Sequence, residues 1–145
     1  MAYYTFDTSV VISRKLSQMP DNFLFSAVVL MELIRSASDD SERRRYEVLA
    51  RDYRKDNSLI VPSLDDWLLA SKILYWLTQE RRRQAKGRAP RLSPGVSQSM
   101  ALDALIATSA RTWRTTVITD NWEDFRAIQR YCNIKIIRSS DFFGG

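Results

Sequence analysis

The feature that most constrains this chain is a rhythm. Five short apolar runs, Tyr3–Phe6, Phe23–Phe25, Ser58–Val61, Thr116–Thr119 and Ile134–Ile137, are separated by longer segments whose apolar residues recur at helical spacing. Runs of three to four apolar or β-branched residues bounded by Asp, Pro, Asn or Ser read as buried strands. The intervening segments read as helices over Val10–Gln18, Ala27–Ser36, Ser41–Lys55, a stretch opened by Ser63 and carrying Trp67 to Leu77, Ser99–Trp113 and Trp122–Tyr131. Strands alternating with helices imply a parallel sheet covered on both faces. Ser26 is placed to cap its helix, and Ser63 followed three residues later by Asp66 forms a capping-box pattern. The ending, Ser139–Gly145, reads as a loose tail, and the 145 residues suit a single domain.

In an open parallel sheet, ligands bind beyond the C-terminal ends of the strands. Asp7 stands there, directly after the first run, either capping the next helix or facing the crevice. Glu32 lies inside the apolar stretch Val28–Ile34, where a charge is costly unless it is paired, metal-bound or set on a narrow polar stripe. Asp103 shares a helix face with Ala107 and Ala110, while Leu102, Leu105, Ile106, Ser109 and Trp113 share the face suited to the core. Asn121 and Asp124 follow the fourth run directly, where they also match an N-cap and its third helical residue.

Composition narrows the chemistry. The chain has no histidine and one cysteine, Cys132. Imidazole general acid–base catalysis and a Ser-His-Asp triad are therefore excluded, and a zinc site nearly so. Carboxylates from several strand ends, if folding gathers them, suit a hard cation such as Mg2+ or Mn2+, whose bound water is acidic enough to attack phosphorus. The single cysteine fits a reducing cytoplasm, and no run approaches the roughly 20 apolar residues that cross a bilayer.

Charge suggests the substrate. The net charge is +5, but residues 81–116 hold eight basic side chains and one acid, a window of +7 that leaves −2 for the rest. Arg81, Arg82, Arg83, Lys86, Arg88 and Arg91 lead this window and suit the phosphodiester backbone of RNA, or else form a solvated helix end. Tyr3, Tyr4, Trp67, Tyr75, Trp76 and Trp122 offer base stacking, although aromatics at helical spacing more often belong to a core.

Four motifs, Phe6-Asp7-Thr8-Ser9-Val10-Val11-Ile12, Met31-Glu32-Leu33, Leu102-Asp103-Ala104-Leu105-Ile106-Ala107 and Val117-Ile118-Thr119-Asp120-Asn121-Trp122-Glu123-Asp124-Phe125, come in an order that resembles the PIN-domain nucleases. Within that family the resemblance is to the VapC-type toxins of toxin–antitoxin pairs. It implies a three-layer α/β/α sandwich around a mainly parallel sheet of four to five strands. It also implies a Mg2+- or Mn2+-dependent endoribonuclease, usually a homodimer, restrained by a cognate antitoxin. Asp7, Glu32 and Asp103 match the family's three best-kept acids. The fourth position falls to Asp124 with Asn121 assisting; Ser9 and Thr119 support. The helices from Ser41 to Arg83 carry more aromatic and aliphatic residues than one sheet face needs, which agrees with a dimer. Two alternatives stay open: a PIN-like module that binds RNA or protein with little or no cutting, and a PIN nuclease of RNA processing outside toxin–antitoxin systems.

Overall fold

A computed structural model describes residues 2–85 and 94–144. In chain order the elements are β1 (Tyr4–Phe6), α1 (Thr8–Arg14), a 3-10 turn (Leu16–Gln18), β2 (Phe25–Ser26), α2 (Ala27–Arg35), α3 (Asp40–Lys55), β3 (Leu59–Ile60), α4 (Leu64–Gln84), α5 (Pro94–Thr112), β4 (Thr116–Thr119), α6 (Trp122–Gln129), β5 (Ile136–Arg138) and α7 (Ser139–Phe143). Every strand pairing is parallel. The sheet is built in two pieces, β1-β4-β5 and β2-β3. A single bridge from Tyr4 to Phe23 joins them, with Leu24 N–H donating to the Tyr4 carbonyl at 2.8 Å. The spatial order is therefore β3-β2-β1-β4-β5. The five parallel strands and the α/β sandwich are those expected. The β1–β2 join is short because Ser26 already caps α2, accepting from Val28 N–H at 3.2 Å, so the chain leaves the sheet there.

Parallel strands buried on both faces need continuous apolar runs. Phe6, Phe25, Ile60, Val117 and Ile118 supply them, each at most 1% exposed. Helix α5 runs through the middle of the protein, touching α2, α4, α6 and β4. Every residue from Leu102 to Ala110 on it is buried, not one face alone. Trp113, expected in the core, lies beyond the helix end and is 37% exposed.

Local chemistry shifts several boundaries. Helix α1 stops at Arg14, four residues early, where Lys15 takes φ 63°. Asp39, not Ser41, caps α3, accepting from Glu42 N–H at 2.8 Å. Helix α5 starts at Pro94, five residues early; proline suits a first helical position because that N–H has no intrahelical partner. β5 begins two residues later than its apolar run. The expected loose tail is instead α7. Its Phe142 ring lies 4.9 Å from Tyr4 and 5.5 Å from Phe6, while Phe143 packs on Phe6 at 5.7 Å and under the Arg14 guanidinium at 4.5 Å.

The capping box forms as the sequence specifies, and it does more than cap. Ser63 N–H donates to Asp66 Oδ2 at 2.9 Å, and Asp66 N–H donates to Ser63 Oγ at 3.2 Å. The other Asp66 oxygen accepts the Thr112 hydroxyl at 2.5 Å, tying the start of α4 to the end of α5. Asp66 is 4% exposed. Replacing Asp66 with Ala removes the acceptor of the Thr112 hydroxyl and of the Ser63 N–H together. It is expected to lower unfolding free energy by about 2 kcal/mol in urea titrations; a loss below about 0.5 kcal/mol would contradict this role.

Candidate metal centre and active site

The parallel order puts the ends of β1 and β4 side by side, with Phe6 paired to Ile118. Asp7 is the first residue past β1. Its backbone N–H donates to the Ile118 carbonyl at 3.2 Å, which fixes it against β4. Its Oδ1 accepts Val10 N–H at 3.2 Å and the Ser9 hydroxyl at 3.0 Å. Capping and facing the crevice are thus one arrangement: one carboxylate oxygen caps α1, and the other accepts the Thr119 hydroxyl at 2.5 Å.

Thr119 ends β4 and is fully buried. Its hydroxyl oxygen also accepts Asn121 N–H at 2.8 Å. The Asn121 amide then donates to Asp103 Oδ2 at 2.8 Å and to Asp124 Oδ2 at 2.9 Å. Three acids from three elements are thereby strung on two polar residues. Glu32, half-buried on α2, accepts the Thr8 hydroxyl at 2.7 Å, one residue from Asp7.

The electrostatics are lopsided. Asp103 is 7% exposed, and its carboxyl is pushed up to about 8. Burial is the main cause; the Asp7 charge adds to it, the Asn121 amide opposes it, and Asp124 and Glu32 raise it further. Burial also raises Asp7 above the ordinary range, against the Thr119, Val10 and Ser9 hydrogen bonds, with Asp120 adding repulsion. Among the described residues no Lys or Arg forms an ion pair with any of these acids. Nor do three or more of them stand close enough, as they are, to enclose one ion. The amide nitrogen wedged between Asp103 and Asp124 fills the place of a positive charge. The donor set, four carboxylates and an amide with no imidazole or thiolate, fits a hard divalent cation and no soft one. Coordination through the Asn121 oxygen requires the amide to turn over.

The structure thus gathers Asp7, Asp103, Asp124, Asn121, Ser9 and Thr119 into one network, with Glu32 at its border. Asn121 begins α6 without a side-chain capping bond, because its amide is spent on the two acids. Arg81, Arg82 and Arg83 close the last turn of α4 and make no bond to the acids; Lys86, Arg88 and Arg91 lie outside the described residues. Of the aromatics, Tyr4 packs on Phe142 and Trp76 on Tyr131, and Trp122 alone adjoins the network in sequence. Three participants escaped the sequence reading. Thr8 holds Glu32, and its place between Asp7 and Ser9 was the available signal. Asp120 accepts the Ser139 hydroxyl, and Arg138 lies over Trp122. Both of these contacts join segments that no local pattern connects.

Solved structures with this fold include DNA-bound VapBC from Salmonella typhimurium, with a TM-score of 0.54 over 95% of this chain and 98% of that one at 17% identity. VapBC-1 from nontypeable Haemophilus influenzae gives 0.55 over 94% and 97% at 19% identity. VapBC2 from Rickettsia felis, bound to a promoter DNA fragment, gives 0.50 over 94% and 98% at 17% identity. The likeness is one of fold along nearly the whole chain. No protein-family model matches the sequence, and no curated protein matches it.

The raised Asp103 carboxyl has a signed consequence. Unfolded, an Asp ionises near pH 4; folded, this one holds its proton to about pH 8. Its stabilising contribution is full below about pH 4 and is lost as pH rises toward 8. The melting temperature of chelator-treated protein is expected to fall by several degrees between pH 5 and pH 8, with Asp103→Asn removing most of the fall. With no histidine in the chain, no imbalance of imidazole ionisation contributes in that window. Added Mn2+ is expected to restore the melting temperature at pH 8. A parent melting temperature flat across this range contradicts the assignment.

Proposed function

We propose that this chain is a Mg2+- or Mn2+-dependent endoribonuclease of the VapC type, the toxin of a toxin–antitoxin pair. The observation that carries the reading is the bonded series Asp7–Thr119–Asn121–Asp103/Asp124, which gathers acids distant in sequence at the sheet's C-terminal edge with no cationic side chain paired to them among the described residues. In this reading Asp7, Glu32, Asp103 and Asp124 hold the cation, and Asn121 assists through its amide. Ser9 and Thr119 aim the Asp7 carboxylate and keep it from turning into the cap alone. A bound cation would favour the ionised form of Asp103, balancing the burial and the acidic neighbours that hold its proton on. When bound, the cation supplies Lewis acidity for water and for the phosphoryl oxygens of the scissile diester.

The structural relatives are VapBC complexes, which supports an antitoxin partner. A homodimer is supported by α4, which exposes Leu64 (72%), Leu68 (51%) and Tyr75 (60%) along one side. The lone cysteine, buried and free, agrees with a reducing cytoplasm, and among the described residues no helix is long and apolar enough to cross a membrane.

One observation favours a second reading, an RNA-binding module that does not cut. The Asn121 amide bridges two acids, so the acids stand partly satisfied without a cation. Incubating total RNA with the purified protein, with Mn2+ or with EDTA, and mapping the ends separates the two. The nuclease reading expects defined new ends with Mn2+ and none in EDTA. Asp7→Asn and Asp103→Asn are each expected to cut at least about a hundredfold more slowly, since even outer-shell partners of a metal site cost up to that much. Both variants are expected to relieve growth arrest in bacteria lacking the antitoxin. Arrest as severe as the parent's sinks the roles assigned to them.

A further inference from the structure

We infer that Arg138, held over the ring of Trp122, is a phosphate-binding subsite that seats the RNA strand beside the acid network. The inference rests on the nuclease reading and names how that site takes hold of its substrate. Arg138 ends β5, and its register partner on β4 is Thr119, the residue whose hydroxyl holds Asp7. The two backbones are therefore about 4.8 Å apart, one strand spacing. Trp122 begins α6 directly after Asn121, the residue that holds Asp103 and Asp124. The guanidinium carbon of Arg138 lies 4.6 Å from the centre of the Trp122 ring. One side of the acid network thus carries a cation whose two supports are each bonded or adjacent to the network itself.

Three further observations favour a ligand over a structural role. Arg138 is exposed, and among the described residues its guanidinium forms no ion pair and no hydrogen bond, although Asp120 follows its register partner Thr119 and Asp141 lies three residues further along the chain. The Asp120 carboxylate is occupied by the hydroxyl of the buried Ser139. The segment that carries Arg138 is also anchored, since α7 follows at once and its two phenylalanines sit on Phe6. A cation stacked on an indole loses little further freedom when it binds, and the planar fork keeps its N–H groups available for phosphate oxygens.

The site also needs such a group. A bare set of buried acids repels a phosphodiester, and a cation at its edge offsets that repulsion. The arginines that the sequence offered for this task, Arg81 to Arg83, sit at the far end of α4. Since Asp66 meets Thr112 and the two helices run antiparallel, Asp103 lies level with about residue 75 of α4. Arg81 to Arg83 then stand about 9–12 Å further along the helix axis. They suit a more distant nucleotide, whereas Arg138 suits one next to the cut.

Cleavage kinetics in Mn2+ over a range of KCl, with a fluorogenic single-stranded RNA pool of randomised sequence, test the assignment. Arg138→Gln is expected to raise KM about fivefold to tenfold with kcat within about twofold. It is also expected to lower the slope of log KM against log salt by about 0.7, the value of one phosphate contact on a single strand. Arg138→Lys restores the slope and part of the affinity, and Trp122→Leu raises KM several-fold with the slope unchanged. A parent that cuts the pool while Arg138→Gln matches it in KM and slope overturns this assignment and leaves the nuclease reading standing. A fall confined to kcat, or a loss in Arg138→Gln that Arg138→Lys does not relieve, also overturns it. A parent that cuts nothing removes the nuclease reading, and this subsite with it. Melting curves of each variant confirm that the fold is intact.

Discussion

The site turns on one hydroxyl. Thr119 donates to Asp7 and accepts from the backbone of Asn121, so a buried oxygen at the end of β4 sets the positions of both. Through Asn121 it reaches α5 and α6, and through Asp7 it reaches the cap of α1. The rest of the fold serves this point. Parallel pairing aligns β1 with β4, the apolar runs hold the sheet in place, and α5 passes close enough to present Asp103.

That arrangement places stability and site chemistry in opposition. A carboxyl as buried as Asp103, with Asp7, Asp124 and Glu32 as neighbours, holds its proton because ionising it there is unfavourable. The structure tolerates the strain of like charges by interposing one neutral amide and by stiffening what lies around it. The Ser63–Asp66–Thr112 cluster pins α4 to α5, and the aromatic cluster of Phe6, Phe23, Phe142 and Phe143 packs beneath β1.

What the sequence made legible was whatever depends on neighbours in the chain. β4 falls where Thr116–Thr119 predicts it, and Ser26 and Ser63 cap the helices they precede. These follow from local backbone chemistry. Asp7, Glu32, Asp103 and Asp124 could be singled out because each is a charge set at a strand end or in an apolar run. Their joining could not be read, since it runs through Thr8, Thr119 and Asn121, whose partners lie on other elements. The same holds for α7: Ser139–Phe143 has polar residues and a glycine neighbour, and only the exposed flank of Tyr4 and Phe6 makes a helix there worthwhile. Asn121 shows the limit most clearly. Its position is that of a helix cap, yet two acids claim its amide.

The bond between Thr119 and Asp7 spans 112 positions of the sequence. A growing polypeptide emerging from the ribosome therefore carries Asp7 for most of its synthesis without the hydroxyl that holds its second carboxylate oxygen. Fragments that stop short of β4 lack that holder as well as the last acid, and only the full chain joins the two halves of the series. The bond closes only when the two distant strands meet.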